Sequence, residues 1–73
     1  MVEIRIREVN FWRGNEFVIM NMPVFVINGR CYAYMSDKRL HLVGKAGRIL
    51  NRVAILTQEN MLFFRSINLE IAA

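Results

Sequence analysis

The chain of 73 residues predicts an α+β fold, a small and mostly antiparallel sheet of about four to six short strands carrying one helix, with an all-β, barrel-like arrangement as the alternative. Three observations predict it. Val24 to Met35 places Asn28-Gly29 between two β-prone runs, the strongest short-range hairpin signal. Both ends alternate, as Val2-Glu3-Ile4-Arg5-Ile6 and as Ile67-Asn68-Leu69-Glu70-Ile71, the period of a strand with one wet face. Between them Ala46, Ile49, Leu50, Val53, Leu56 or Thr57, and Met61 recur at helical spacing.

Taken in order, residues 1–9 read as a strand that buries Val2, Ile4 and Ile6 and exposes Glu3, Arg5 and Arg7. Residues 10–15 break it, with Arg13-Gly14-Asn15 as turn chemistry and Phe11-Trp12 packing over the end. Residues 16–21 form a second strand, apolar on both faces, which implies a central position or an interface. Pro23 lacks a backbone donor, so Met22-Pro23 is a kink, an edge, or the start of the hairpin strand. The Asn-Gly turn pairs Ile27 with Arg30, Val26 with Cys31 and Phe25 with Tyr32. Val24, Val26, Cys31, Ala33 and Met35 then share one face, and Phe25, Ile27, Arg30, Tyr32 and Tyr34 the other. Ser36 to Arg39 is a polar break, and residues 40–43 are too few to separate a strand from a helical turn. The helix is read over 46–59. Ile55 falls on its wrong face, so two strands, 49–57 and 61–66, remain the alternative. The last alternating run mirrors the first and is able to pair with it, within one chain or between two, bringing Glu70 to Arg5.

At this length there is one domain, 1–73, and folding buries roughly 60% of the unfolded surface. A 55% hydrophobic composition exceeds what so small a monomer hides, so a homo-oligomer is expected, a two-fold dimer first. The single Cys31 forms no internal disulfide, which suggests a reducing compartment. No segment has the apolar length of a membrane span and the N-terminus alternates where a signal peptide runs apolar, so the expected location is cytoplasmic, with no membrane partner.

The net charge of +4 is unevenly placed. Residues 1–29 are neutral, and residues 30–52 hold Arg30, Lys38, Arg39, Lys45, Arg48 and Arg52 against Asp37 alone. Eight of the ten cations are arginine, whose planar fork suits phosphate and carboxylate.

With one Cys, one His and no carboxylate pair at helical spacing, no metal set can be drawn within one chain, and no cofactor or small-molecule substrate is expected. Cys31, His41 and Asp37 are the residue types of a thiol nucleophile, its base and its orienting carboxylate. A free cysteine on a small apolar face more often behaves as a hydrophobe, so an enzyme is not expected. Gly44-Lys45-Ala46-Gly47-Arg48 is compatible with phosphate but lacks the spacing of a Walker loop. With Leu42-Val43 before it and Leu50, Val53 and Met61 after it, this stretch resembles the Gly-x-x-Gly loop of KH domains. That resemblance implies a clamp on a single-stranded backbone. The plainer reading, which is preferred, is that the two glycines simply loosen a strand-to-helix connection.

The leading expectation is a small non-enzymatic nucleic-acid-binding protein that reads backbone and stacking more than sequence. Arg30, Lys38, Arg39, Lys45, Arg48 and Arg52 would meet phosphates, and Tyr32 and Tyr34 would stack on bases. The alternative is a homo-oligomeric protein-interaction module, adaptor or inhibitor, binding an acidic protein partner through arginine and aromatic side chains.

Overall fold

A computed structural model describes residues 1–72. Five strands, β1 (Val2–Arg13), β2 (Glu16–Ile27), β3 (Arg30–Tyr34), β4 (Leu40–Val43) and β5 (Ile49–Val53), form one antiparallel sheet in sequence order, followed by a helix, α1 (Gln58–Ser66). The α+β class is observed with a small helix. The sheet curls until β1 meets the residue before β5 at one parallel bridge, Asn10 to Arg48, without closing into a barrel. The helix is too short to cross a membrane, and no other helix occurs among the described residues.

The β2–β3 hairpin has the register read from the sequence, Phe25 to Tyr32, Val26 to Cys31 and Ile27 to Arg30. Asn28 and Gly29 take φ values of 50° and 76°, the left-handed pair that a type I′ turn needs. The first hairpin is longer than the turn signals suggest. Phe11, Trp12 and Arg13 stay in β1, paired with Val18, Phe17 and Glu16, and only Gly14-Asn15 turns. Pro23 sits inside β2 opposite Ile6. It is tolerated because β3 pairs β2 only over Phe25 to Ile27, which leaves the preceding stretch one free edge.

The predicted helix over 46–59 is not formed. Gly47 has φ +83°, outside the helical region, and residues 49–53 are drawn into the sheet by β4, with a register irregularity between His41 and Val43. The two-strand alternative holds for residues 49–53 of its first strand, not for 54–57, and fails for residues 61–66, which are helical. The helix begins at Thr57, whose hydroxyl accepts from the Asn60 amide at 3.2 Å, and Glu59 and Arg65 suit its two ends. It stops at Asn68, φ 60°, where the amides of Asn68 and Leu69 donate back to the carbonyls of Arg65 and Phe64. This is a Schellman ending, and Leu69 and Phe64 join the same apolar cluster, the contact that often accompanies it.

Two clusters hold the molecule. Val9, Val24, Ala33 and Val43 pack on one face of the curled sheet, with Cys31 and Met35 against them. Phe25, Ile27, Leu40 and Phe64 pack on the other, under the helix. Pairing of the chain ends does not occur. Residues 67–72 return along the β3–β4 turn instead, where the Ala72 amide donates to the Lys38 carbonyl at 2.8 Å, Tyr34 Oη donates to the Glu70 carbonyl at 2.6 Å, and Glu70 pairs with Lys38 rather than Arg5. The apolar side of β1 expected to be buried is half open: Ile4 is 52% and Ile6 67% exposed, because the helix reaches only as far as Val2.

Candidate functional site

Of the cations of residues 30–52, Lys45, Arg48 and Arg52 lie on or just before β5, the edge strand of the sheet. Arg48 directly precedes β5 and Arg52 lies in it. Arg30 and Arg39 border two grooves that share Val53 and Ala54 at its far end. Lys45 stands on the 44–48 loop that leads into it. Arg30, Arg39, Lys45, Arg48 and Arg52 are all exposed, and none has an ion-pair partner among the described residues. Lys38 differs from them, since its ammonium is held by Glu70.

The 44–48 loop is a brace. Three successive carbonyls are taken by β1: Arg7 donates to Lys45 at 3.2 Å, Asn10 Nδ2 to Ala46 at 3.0 Å, and the Asn10 amide to Gly47 at 2.8 Å. The Gly44 and Gly47 amides are used within the loop, toward the Arg48 and Gly44 carbonyls. Because a strand and no helix comes next, the KH-like arrangement is not formed, and the loop contributes the charges of Lys45 and Arg48 without a helix terminus.

Tyr32 and Tyr34 lie half-buried against the Phe64 cluster, and Tyr34 spends its hydroxyl on Glu70. The open rings are elsewhere. Trp12 and Phe17, cross-strand partners at the tip of the β1–β2 ribbon, are 62% and 48% exposed with centroids 5.2 Å apart. They border a groove of about 380 Å³ whose other walls include His41, Arg48 and Asn51. Sequence reasoning assigns Trp12 to packing over a strand end and so misses it. The signal that could have found it is an aromatic pair flanking Arg13-Gly14-Asn15-Glu16, a two-residue turn that puts both rings on one face.

His41 Nε2 lies 2.8 Å from Asp37 Oδ2 and Nδ1 lies 3.3 Å from the Leu50 carbonyl, so both ring nitrogens are engaged and neither is directed at Cys31. No cluster of three or more metal-ligating side chains occurs among the described residues.

Three exposed groups, Asp37, Lys38 and Glu70, are shifted by their contacts. The hydrogen bond from His41 holds the Asp37 carboxyl below its ordinary range, and the Lys38 hydrogen bond and charge do the same for Glu70. Glu70 in turn raises Lys38. Carboxylates depressed in the folded state contribute stability above their unfolded values and lose it as pH falls through the lower folded ones. A raised lysine contributes below its unfolded value and loses its share as pH rises through the higher folded one. The strap formed by residues 67–72 is therefore expected to hold at neutral pH, and to loosen only as pH falls below the ordinary glutamate value of 4.5 or rises above the ordinary lysine value of 10.5. Hydrogen exchange at the Ala72 amide checks this, and Lys38→Met should abolish the acid-side dependence while leaving exchange in β2 unchanged.

Comparison of the chain with protein families, with curated proteins and with solved structures finds no match.

Proposed function

We propose that this protein binds single-stranded nucleic acid along the β5 edge, without enzymatic activity. The observation that carries the reading is the set of five exposed cations without an ion-pair partner among the described residues, three on or just before β5 and two on the grooves at its end, beside an open Trp12–Phe17 pair. A backbone tracking that edge would meet Arg48, Arg52, Arg30 and Arg39, with Lys45 adding charge, while a base stacks on Trp12. Tyr32, Tyr34 and Lys38 become supporting residues, since each is engaged within the fold. Titration of a fluorescently labelled random oligonucleotide, followed by anisotropy at two salt concentrations, tests it. Affinity should fall steeply with salt, and Arg48→Ala or Arg52→Ala should each make the slope of log affinity against log salt shallower by about 0.7 to 1. Trp12→Ala should weaken binding about 5- to 100-fold at constant slope. Salt-independent affinity, or unchanged binding by Trp12→Ala, removes the reading.

A second reading, a homo-oligomeric protein-interaction module, is favoured by a different observation. Ile4, Ile6, Trp12, Phe17 and Ile19 project from one face of the β1–β2 ribbon and are all exposed. An apolar stripe of this kind marks an association surface. A defined oligomeric mass in size-exclusion light scattering, indifferent to oligonucleotide, supports this reading over the first.

A further inference from the structure

We propose that a second copy of this chain adds to the outer edge of β1, antiparallel, with the two-fold axis passing through Ile4. The proposal rests on the homo-oligomeric reading and names its partner and register.

The sheet has two edges, and they differ. β5 is five residues long and its pairing with β4 is irregular, a feature that discourages strand addition. β1 is twelve residues long and runs in unbroken register against β2. Its outer side is engaged by the 44–48 loop only from Arg7 onward, through the Arg7 side chain, the close approach of Gly47 to the Glu8 carbonyl, and the Asn10 amide. Among the described residues, the backbone of Val2 to Ile6 makes no hydrogen bond outside the β1–β2 ladder. A regular strand with a free edge is a template for another strand.

The residues on that edge say which strand fits. In a symmetric antiparallel pair, opposing residues share a face, so the axis passes through a residue and its neighbours pair across it. With the axis at Ile4, Glu3 of each copy stands opposite Arg5 of the other, Ile4 opposite Ile4, and Val2 opposite Ile6. Every pair matches. Moving the axis to Arg5 sets two guanidinium groups face to face and puts Val2 opposite Glu8. An axis at Ile6 opposes Arg5 to Arg7, and an axis at Glu3 opposes two carboxylates. Like charges directly opposite destabilise a strand pair, so the alternatives are penalised where the Ile4 register is favoured.

The same symmetry gathers Val2, Ile4 and Ile6 of both copies on one face of a continuous sheet, beside the two helices, and gives the exposed Ile4 and Ile6 apolar neighbours. Arg5 already bonds Glu3 of its own strand at 2.9 Å, with both side chains more than half exposed, so exchanging that partner for one across the axis requires little rearrangement. Neither β5 strand takes part in this pairing.

Charge exchange tests the register. In size-exclusion light scattering the wild-type chain is expected to be a dimer. Glu3→Arg and Arg5→Glu, each an exposed change, should each weaken the dimer by about tenfold or more. An equimolar mixture of the two variants should restore it, because the arginines at 3 and 5 of one copy then face the glutamates at 5 and 3 of the other. The bond within the strand does not predict that rescue. A wild-type dimer with no loss in the single variants, or with no rescue in the mixture, overturns the β1 edge and leaves the oligomeric reading standing. A wild-type monomer overturns both. Should either charge variant fail to fold, Ile4→Cys in a Cys31→Ser background decides: oxidation should link Ile4→Cys copies to each other, and Ile6→Cys copies should not link.

Discussion

Phe64→Ala is expected to remove about 3–5 kcal/mol of stability. The ring is fully buried, and it is the helix residue around which the second cluster is built: it meets Phe25 edge-on at 5.0 Å and Phe63 at 5.3 Å, and it packs with Leu40 and Ile27. Truncation leaves a cavity between helix and sheet, and the short helix has little of its own to keep it folded once its anchor is gone. A domain of this size has about 4–11 kcal/mol in total, so the loss is a large part of it. Urea denaturation followed by circular dichroism checks the result. Leu62→Ala, on the exposed side of the same helix, should cost less than about 1 kcal/mol, and equal effects from the two variants would mean that the helix does not seat through Phe64.

Gly47→Ala is expected to be the most damaging small change outside the apolar clusters. A β-carbon at 47 would lie 2.7 Å from the Glu8 carbonyl oxygen, a backbone atom, and φ is +83°. The conformation alone costs roughly 1–3 kcal/mol, and the clash adds to it by pushing the loop off β1. That displacement would break the hydrogen bond from the Asn10 amide to Gly47 and uncurl the sheet over Val9. Gly44→Ala is the matched control: its β-carbon would meet Arg48 O at 3.6 Å and Leu50 Cδ1 at 3.8 Å, ordinary contact, and its thermal midpoint should stay near that of the wild type. A Gly47→Ala midpoint equal to the control's would show that β1 and the loop do not touch in solution.

These two positions mark where local pattern stops being informative. The β2–β3 hairpin is legible because Asn28-Gly29 determines its own turn, and register comes from the turn without reference to the rest of the chain. The span 46–59 misleads because its apolar residues at helical spacing imitate one helix face. β4 offers Ile49 to Val53 a strand partner, and the energy of pairing outweighs the local period. The true helix start is written as Thr57 with Glu59, and its stop as Asn68, but both signals are short beside the longer false period upstream. The candidate site shows the same division. The cations are evident from charge alone, whereas the assignment of stacking to Tyr32 and Tyr34 does not foresee the helix that half-covers them.

By itself, the sequence determined the central hairpin and its register, the concentration of positive charge between residues 30 and 52, and a surplus of apolar residues for so small a chain, because turn chemistry, charge and composition are properties of neighbouring residues. Tertiary structure alone decided that residues 49–53 are a sheet edge, that Trp12 and Phe17 are the open rings, and that Ile4 and Ile6 face outward. Those outcomes depend on which segments are close enough to compete for the same surface, and a helix of nine residues covers only the part of the sheet that it can reach.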